Sequence, residues 1–409
     1  MHILFLTDNF PPETNAPASR TYEHAKRWVA CGHRVTVMTG APNFPSGKVH
    51  AGYRNALWQR ETIDGIEVVR VWTYITANEG FLRRTLDYAS FMVSAILASP
   101  FLSRPHVIVG TSPQFFTACA AWVVSLLWWR PFVFELRDLW PDSIIAVGAM
   151  RETAAIRLLR KLEYFLYRRA DRIVSVTHSF KNVLAGNGIP PDKIAVVPNG
   201  VDLDSYRPGA KPQELERKLG LEGKFVAAYV GTIGMAHGLG AVLDAAARLR
   251  MRTDIRFLLV GTGAEQAALA MRCNDERLDN VIFAGAVSKT EVREYWRLCD
   301  VALVLLRDSE LFVHVIPSKM FEAMGTERPI VLGVRGESRG ILEAAQAGIP
   351  ITPESSEELA DAITLLAGDS ALRNRLGKSG RSFAAREFDR DNLAAQMLSV
   401  LTAVAKEGQ

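Results

Sequence analysis

Val301-Ala302-Leu303-Val304-Leu305-Leu306 is followed, after a polar connection, by Pro317-Ser318-Lys319-Met320-Phe321-Glu322-Ala323-Met324-Gly325. The first run is apolar throughout, as a strand must be when both faces of its sheet are covered. The second reads as a helix start. Proline is tolerated where the first N–H groups have no helical partner, Ser318 and Lys319 fall in the first turn, and Gly325 marks the end. Strand, loop and helix in this order form the repeating unit of a parallel α/β sheet. A helix N-terminus carrying free N–H groups, a hydroxyl and an ammonium makes a phosphate site. Glu322, one turn further in, is placed to accept hydrogen bonds from hydroxyls such as those of a ribose. A capped surface helix with a solvated Lys319 is the alternative these residues leave open.

The same alternation runs outward along the chain. Strands are predicted at His2–Thr7, Arg34–Thr39, Ile66–Trp72, His106–Thr111, Phe132–Leu136, Arg172–Thr177 and Ile194–Pro198. A second series covers Phe225–Gly231, Ile255–Gly261, Asn280–Gly285, Asp300–Leu306, Pro329–Gly333 and Ile349–Thr352. Between the series, Val197-Pro198-Asn199-Gly200-Val201-Asp202 and the polar 204–224 segment read as turn and linker. The prediction is therefore α/β, with two doubly wound parallel-sheet domains at 1–203 and 204–388. Residues 389–409 have helical periodicity with no strand after them and can pack back onto the first domain.

At 409 residues, 48% hydrophobic and 22% charged, the chain suits two globular domains. A net charge of +4 gives no argument for nucleic acid. Cys31, Cys119, Cys273 and Cys299 are scattered, without metal-ligand spacing, as in a cytosolic protein with reduced thiols. The first residues read as a strand and not as a leader, so secretion is not expected. Phe115 to Trp129 holds only roughly 15 mostly apolar residues, against the ~20 of a spanning helix. Leu86 to Leu102 is interrupted by Asp87 and ends near Pro100. Neither is predicted to cross a membrane.

Polar and glycine-rich sequence gathers after strand ends. After the first strand, three prolines stiffen the 8–20 loop, Ser19 is a candidate helix cap, and Asn15 and Arg20 are placed to touch a ligand. After Phe132–Leu136 comes Arg137-Asp138-Leu139-Trp140-Pro141-Asp142, whose charged pair suits polar work at a ligand or a structural ion pair. Gly231-Thr232-Ile233-Gly234-Met235-Ala236-His237-Gly238 allows close backbone approach and leads into a helix predicted over 238–249. Val260-Gly261-Thr262-Gly263 has part of a dinucleotide fingerprint but lacks its third glycine. Ala155 to Arg169 reads as a basic amphipathic helix, suited to an anionic lipid surface or to core packing with a solvated face. Arg83, Arg84, Arg104 and Arg172 lie nearby in the pattern.

These residues together resemble retaining glycosyltransferases of family 4, whose GT-B fold is two Rossmann-like domains facing a central cleft. The markers run in order: Asp171-Arg172-Ile173-Val174-Ser175-Val176-Thr177, Lys193 to Asp202 with Pro198-Asn199-Gly200, Val230-Gly231-Thr232, Phe257 to Gly263, Asn280 to Gly285, and Cys299 to Leu303. Asn9-Phe10-Pro11-Pro12-Glu13, Asn15 to Arg20, Ala41 to Pro45, Leu136 to Pro141 and Pro317-Ser318-Lys319 are similar to a bacterial subgroup of fucosamine-type transferases of O-antigen and capsule assembly.

The resemblance implies a donor site of Gly231, Thr232, Gly234, His237, Gly261, Gly285, Val287, His314, Pro317, Ser318, Lys319 and Glu322. It implies catalytic roles for Arg137, Asp138 and Lys319, and acceptor-side roles for Asn15 and Arg20. Glu322 matches the family's ribose-binding glutamate, whereas His314 stands where its other glutamate usually touches the donor sugar. Thr232 and His237 fall near the family's phosphate-neutralising Arg and Lys, and Arg137 replaces its first-domain histidine.

The expected reaction moves a sugar, with N-acetylated amino and deoxyamino sugars among the candidates, from a nucleotide donor, UDP-linked by resemblance. The expected acceptor is a polyprenyl-diphosphate-linked saccharide at the inner face of the cytoplasmic membrane. The protein is expected to attach there peripherally. No cofactor or metal and no nucleic-acid partner is expected. The alternatives are a UDP-sugar epimerase of the same fold and a non-catalytic nucleotide-sugar-binding subunit.

Overall fold

The computed structural model describes residues 1–44, 46–76, 81–112, 114–140 and 153–408. Pro45, Pro141, Asp142 and the side chain of Arg84 lie outside the described residues. The chain forms two compact units, Met1–Pro198 with Arg390–Gln409, and Asn199–Asp389.

The first unit carries β1 (His2–Leu6), β2 (Arg34–Thr39), β3 (Trp58–Ile63), β4 (Ile66–Val71), β5 (Val107–Thr111), β6 (Phe132–Leu136), β7 (Arg172–Ser175) and β8 (Ile194–Val196). They pair in the order β3-β4-β2-β1-β5-β6-β7-β8. Every pairing is parallel except the antiparallel hairpin of β3 with β4. Helices α1 (Ala16–Ala30), α2 (Phe81–Ala98), α3 (Phe115–Trp128), α4 (Ala154–Arg169) and α5 (His178–Gly186) connect them. The central strands β1 and β5 are buried along their whole length, which explains their unbroken apolar runs. Trp58-Gln59-Arg60-Glu61-Thr62-Ile63 was not among the predicted strands. It is an edge strand with polar side chains, and no continuous apolar pattern is required of it.

The second unit is a six-stranded parallel sheet in the order β11-β10-β9-β12-β13-β14. Its strands are β9 (Phe225–Val230), β10 (Ile255–Val260), β11 (Val281–Gly285), β12 (Val301–Leu305), β13 (Ile330–Gly333) and β14 (Gly348–Pro350). Its helices are α6 (Gln213–Leu219), α7 (Gly240–Arg248), α8 (Gln266–Asp275), α9 (Val292–Leu298), α10 (Lys319–Gly325), α11 (Glu337–Ala345), α12 (Ser356–Gly368) and α13 (Ser370–Glu387). Two apolar clusters flank this sheet, one around Tyr229, Leu243 and Leu303 and the other around Val230, Trp296 and Met320. Tyr229 and Val230, adjacent in β9, thus point to opposite faces, as the strand period demands. The polar segment read as a linker contains α6, which belongs to this unit.

The last helix, α14 (Arg390–Glu407), returns to the first unit and lies against α1. The Trp28 indole N–H donates to the Ala394 carbonyl at 2.9 Å. Leu393, Met397, Leu401 and Val404 share a core with Phe5 and Val37.

In both sheets the strand order, not the strand direction, reverses at the centre, between β1 and β5 in the first unit and between β9 and β12 in the second. Loops leaving the carboxyl ends of those strands diverge and open a crevice, where ligands of open α/β sheets bind. The loops that the sequence singled out after β1, β9 and β12 are therefore at the topological switch points.

Candidate active site

In the second unit the site is built from the β9 loop and the start of α10. Gly231 follows β9 with φ of +140°, in a region L side chains rarely adopt. A Cβ placed there would stand 3.1 Å from the Lys319 Nζ. Lys319 is thus aimed at the β9 turn. Its ammonium lies 3.7 Å from the centroid of the Tyr229 ring, a cation–π contact. The Tyr229 hydroxyl donates to the Thr232 carbonyl at 2.6 Å, which fixes the turn on the ring.

The Lys319 Nζ is buried and makes no hydrogen bond among the described residues. Burial lowers its pKa to about 7, and the negative charge of Glu322 offsets part of that effect. An ammonium has three donors, and leaving them unmatched away from water is unfavourable. The arrangement calls for an anion.

His237 closes the other side of the turn, in a 3-10 segment over Met235–His237 that precedes α7. The helix predicted from Gly238 therefore begins two residues later, because Gly238 itself takes φ of +59°. The His237 Nδ1 is 3.1 Å from the Gly234 carbonyl oxygen, and its ring meets Tyr229 edge-on at 5.7 Å. Burial and then the Lys319 charge push its pKa down to about 4, so this imidazole is neutral at physiological pH. Lys319 is the residue of this cluster that can carry positive charge near neutral pH.

The helix read from Pro317 starts at Lys319, with Ser318 as its first flanking residue. The Pro317 carbonyl accepts from the Met320 N–H at 3.0 Å. Ser318 makes no capping hydrogen bond, and its hydroxyl stays clear of the helix backbone. Glu322 Oε2 accepts from the Trp296 indole N–H at 3.0 Å, which fixes the carboxylate on a fully buried ring. His314 ends a 3-10 segment over Phe312–His314 and is half-buried, its backbone N–H bonded to the Leu311 carbonyl.

Gly261 and Gly285 form the layer beneath. The Gly231 N–H donates to Val260 and the Gly261 N–H to Gly285. A Cβ on Gly261 would run into the Gly231 carbonyl oxygen, and one on Gly263 into that of Ile233. The partial dinucleotide fingerprint thus has a local cause, a backbone-to-backbone approach of two βα loops. Val287, beyond β11, is half-buried against the core.

In the first unit Asn15 caps α1. Its Oδ1 accepts from the Ala18 N–H at 3.0 Å, and its Nδ2 donates to Asn9 Oδ1 at 2.6 Å. Ser19, the candidate cap, lies inside the helix. Arg20 is 5% exposed and donates to Glu135 Oε1 at 2.8 Å, to the Pro198 carbonyl at 2.6 Å and to the Val197 carbonyl at 2.8 Å. Placed as a ligand contact from the sequence, this guanidinium ties α1 to β6 and to the end of the sheet.

Arg137 follows β6, and its backbone N–H donates to Ser112 Oγ at 2.8 Å. Burial lowers its pKa to about 10, with the Glu135 charge opposing the shift. One terminal guanidinium nitrogen of Arg137 is buried without a hydrogen-bond partner. Asp138 is half-buried beside it in sequence.

Three residues of these sites carried no clear functional signal. Tyr229 and Trp296 sit in ordinary apolar contexts. Asp8, two residues past the end of β1, is held well above the usual carboxyl range by burial and by the charges of Asp87 and Glu13. No group of three His, Cys, Asp or Glu side chains able to hold a metal ion occurs among the described residues.

Two family models match the chain. A "Glycosyl transferase 4-like domain" covers residues 15–200, and "Glycosyl transferases group 1" covers residues 212–383. The chain is 25% identical to WcaI of Escherichia coli K12, named for colanic acid biosynthesis, over 98% of this chain and 99% of that protein. Sucrose-phosphate synthase from Thermosynechococcus elongatus has the same fold, with a TM-score of 0.79, 16% identity and 98% of each chain covered. HepE of Anabaena, solved with UDP and glucose, gives a TM-score of 0.74 at 18% identity, over 98% of this chain and 99% of that one. Two Rossmann-like parallel sheets and both family domains in their order lead to one assignment: the chain belongs to the family 4 glycosyltransferases of GT-B fold.

Proposed function

We propose that the chain transfers a sugar with retention of configuration from a UDP-linked donor to a polyprenyl-diphosphate-linked saccharide, in the assembly of O-antigen, capsule or exopolysaccharide. The observation that carries the reading is the buried, unpartnered Lys319 ammonium beside the Gly231 turn. A leaving nucleoside diphosphate supplies the anion this site lacks, and its charge grows as the glycosidic bond breaks. A fixed cation and backbone N–H groups at that point stabilise the transition state more than the ground state. Glu322 holds the ribose hydroxyls, and Ser318 and the Gly231–Thr232 backbone take phosphate oxygens. His314 faces the donor sugar in place of a carboxylate. Arg137 and Asp138 act on the acceptor side, and a β-phosphate oxygen takes the acceptor proton on the face the leaving group vacates. Lys319 serves as the phosphate-neutralising charge, so no metal is required for that task. The UDP assignment draws support from the HepE complexes, and the pathway from the name of WcaI.

The protein works at the inner face of the cytoplasmic membrane. Supporting this, α4 exposes Arg157, Lys161, Arg168 and Arg169 beside the half-exposed Leu158 and Leu162, while Ile156, Leu166 and Tyr167 pack inward. Such a helix suits an anionic lipid surface. No described helix is long and apolar enough to cross a membrane.

The test is a panel of nucleotide sugars given to the purified protein with a polyprenyl-diphosphate-linked saccharide, read by mass spectrometry. Transfer from a UDP-sugar is expected. Sugar epimerised without acceptor, or donor binding with no product on any acceptor, would replace the reading.

A further inference from the structure

Between β12 and α10 the chain passes through residues 309–315, which carry His314. The N–H groups of Phe312, His314 and Val315 donate within this loop, to the carbonyls of Ser309, Leu311 and Phe312. Bonds of that range set the curl of a loop and not its place against the rest of the fold.

A neighbouring segment of the same unit, Arg335-Gly336-Glu337-Ser338, opens α11 after β13 and holds the loop on both sides of His314. Gly336 takes φ of +75°, and a Cβ there would run into the Val313 carbonyl oxygen, so the two backbones are in direct contact. Ser338, fully buried, donates from its hydroxyl to the Val315 carbonyl at 2.7 Å. Arg335 pairs with Asp308 at 2.6 Å and with Glu310 at 2.9 Å. Val313 and Val315 are the two residues that flank His314.

These residues are poor choices for the helix they begin. The N-cap position is glycine and no side chain caps α11, although Ser, Thr, Asp or Asn is the stabilising residue there. The one serine of this segment stands two positions on and gives its hydroxyl to the loop. A helix start that departs from its local rules answers to another demand. The Arg335 ion pairs lie in solvent and constrain weakly. The backbone approach at Val313 and the buried hydroxyl at Val315 therefore carry the placement.

We propose that Gly336 and Ser338 are positioning residues for donor-sugar recognition: they fix the backbone before and after His314 and so set how its imidazole meets the sugar. The inference rests on the place given to His314 at the donor sugar above. The nucleotide end is held by other contacts, Glu322 by Trp296 and Lys319 against Tyr229. Loosening the clasp thus affects the sugar and spares the nucleotide.

The experiment measures, by calorimetry on the full chain, the affinities of UDP and of a panel of UDP-hexoses and UDP-N-acetylhexosamines. Ser338→Ala should leave the UDP affinity within about twofold and weaken the best-bound UDP-sugar roughly tenfold, the size of one misplaced hydrogen bond. Ser338→Thr keeps the hydroxyl and should recover most of the loss. Gly336→Ala should show the same selectivity with a larger effect, with melting temperatures confirming that the variants fold. On a His314→Ala background Ser338→Ala should add little, because both changes remove the same contact.

Equal weakening of UDP and UDP-sugars by Ser338→Ala would make the serine merely structural and overturn the proposal. So would a variant that weakens neither, or a full further loss on the His314→Ala background, since the serine would then act through another group. A wild type that binds no UDP removes the donor reading and this inference with it. That result is visible before any variant is made, so the two failures are told apart.

Discussion

The Lys319 ammonium stands 3.7 Å from the centroid of the Tyr229 ring, while the Tyr229 hydroxyl is bonded to the Thr232 carbonyl. One buried tyrosine therefore sets both the position of the cation and the shape of the turn it faces. The ring's negative face partly offsets the desolvation of the charge, but it supplies no acceptor for the three N–H groups. Tyr229→Phe keeps the ring and releases the turn, whereas Tyr229→Leu removes the ring. Donor binding is expected to suffer more in the leucine variant.

That geometry predicts a pH dependence. The Lys319 pKa is lowered by burial from 10.5 to about 7 in the folded protein. Between those values the unfolded chain binds the proton and the folded one does not, so this group makes stability rise with pH across the window. Donor binding runs the opposite way, because a diphosphate favours the ammonium. Affinity for UDP should fall as pH rises above about 7, by up to about tenfold per unit, until the pKa of the complex is reached. Calorimetry in buffers of different ionisation enthalpy should show proton uptake near pH 8, and Lys319→Arg should flatten the profile. Lys319→Ala should lower kcat/KM by about 10²–10³. An affinity flat across this range in wild type would mean that the ammonium does not meet the phosphate.

Glu322 is held from behind by Trp296 at 3.0 Å. Removing the carboxylate in Glu322→Ala should raise KM for the donor by about tenfold or more, the worth of a hydrogen bond to a charged group. Trp296→Phe leaves the carboxylate but frees its orientation. It should cost about 1–3 kcal/mol of stability, with a smaller rise in KM. Chemical denaturation and steady-state kinetics on the two variants separate the roles. A donor KM unchanged in Glu322→Ala would remove the ribose assignment.

In the first unit the Glu135 carboxylate, 1% exposed, lies against Arg20 and is also sensed by Arg137. Burial alone would raise its pKa, but the Arg20 and Arg137 charges outweigh burial and hold it below the usual value. A lowered carboxylate pKa contributes stability that is present above the unfolded value and lost as pH falls through the folded one. Glu135→Ala leaves two guanidinium groups in the interior with their main counter-charge gone and should cost about 3–5 kcal/mol. Unfolding of the variant in urea at neutral pH checks this, and its acid transition should be shallower than that of wild type.

These contacts show what could be read from the sequence. The strands buried on both faces were visible because such strands must be apolar end to end, and Lys319 because lysine at a helix start is a phosphate pattern. Trp58–Ile63 was missed because an edge strand tolerates charge. Glu135 carried a signal of its own, since a carboxylate inside Phe132-Val133-Phe134-Glu135-Leu136 demands a partner, but it was not among the predicted site residues. That partner, Arg20, is far away in sequence, and nothing local joins them. Tyr229 looked like core because it is core, and only its polar tip and ring face serve the site.

Gly261-Thr262-Gly263 offers the sharpest separation of two readings. As a dinucleotide fingerprint, its glycines would make room for a pyrophosphate. In the structure they make room for the β9 loop, since a Cβ at either position would strike the Gly231 or Ile233 carbonyl oxygen. Both partners are backbone and cannot swing aside, so Gly263→Ala should cost about 2–3 kcal/mol by forcing the two loops apart. Gly285 takes φ of +75° with nothing within 4 Å of a Cβ there. Gly285→Ala should therefore cost only the backbone strain, about 1 kcal/mol. The difference should appear as a lower melting temperature for Gly263→Ala than for Gly285→Ala. Donor affinity should also drop in Gly263→Ala, because the displaced loop carries Gly231 away from Lys319. Equal melting temperatures for the two variants would mean that the β9 and β10 loops are not in contact.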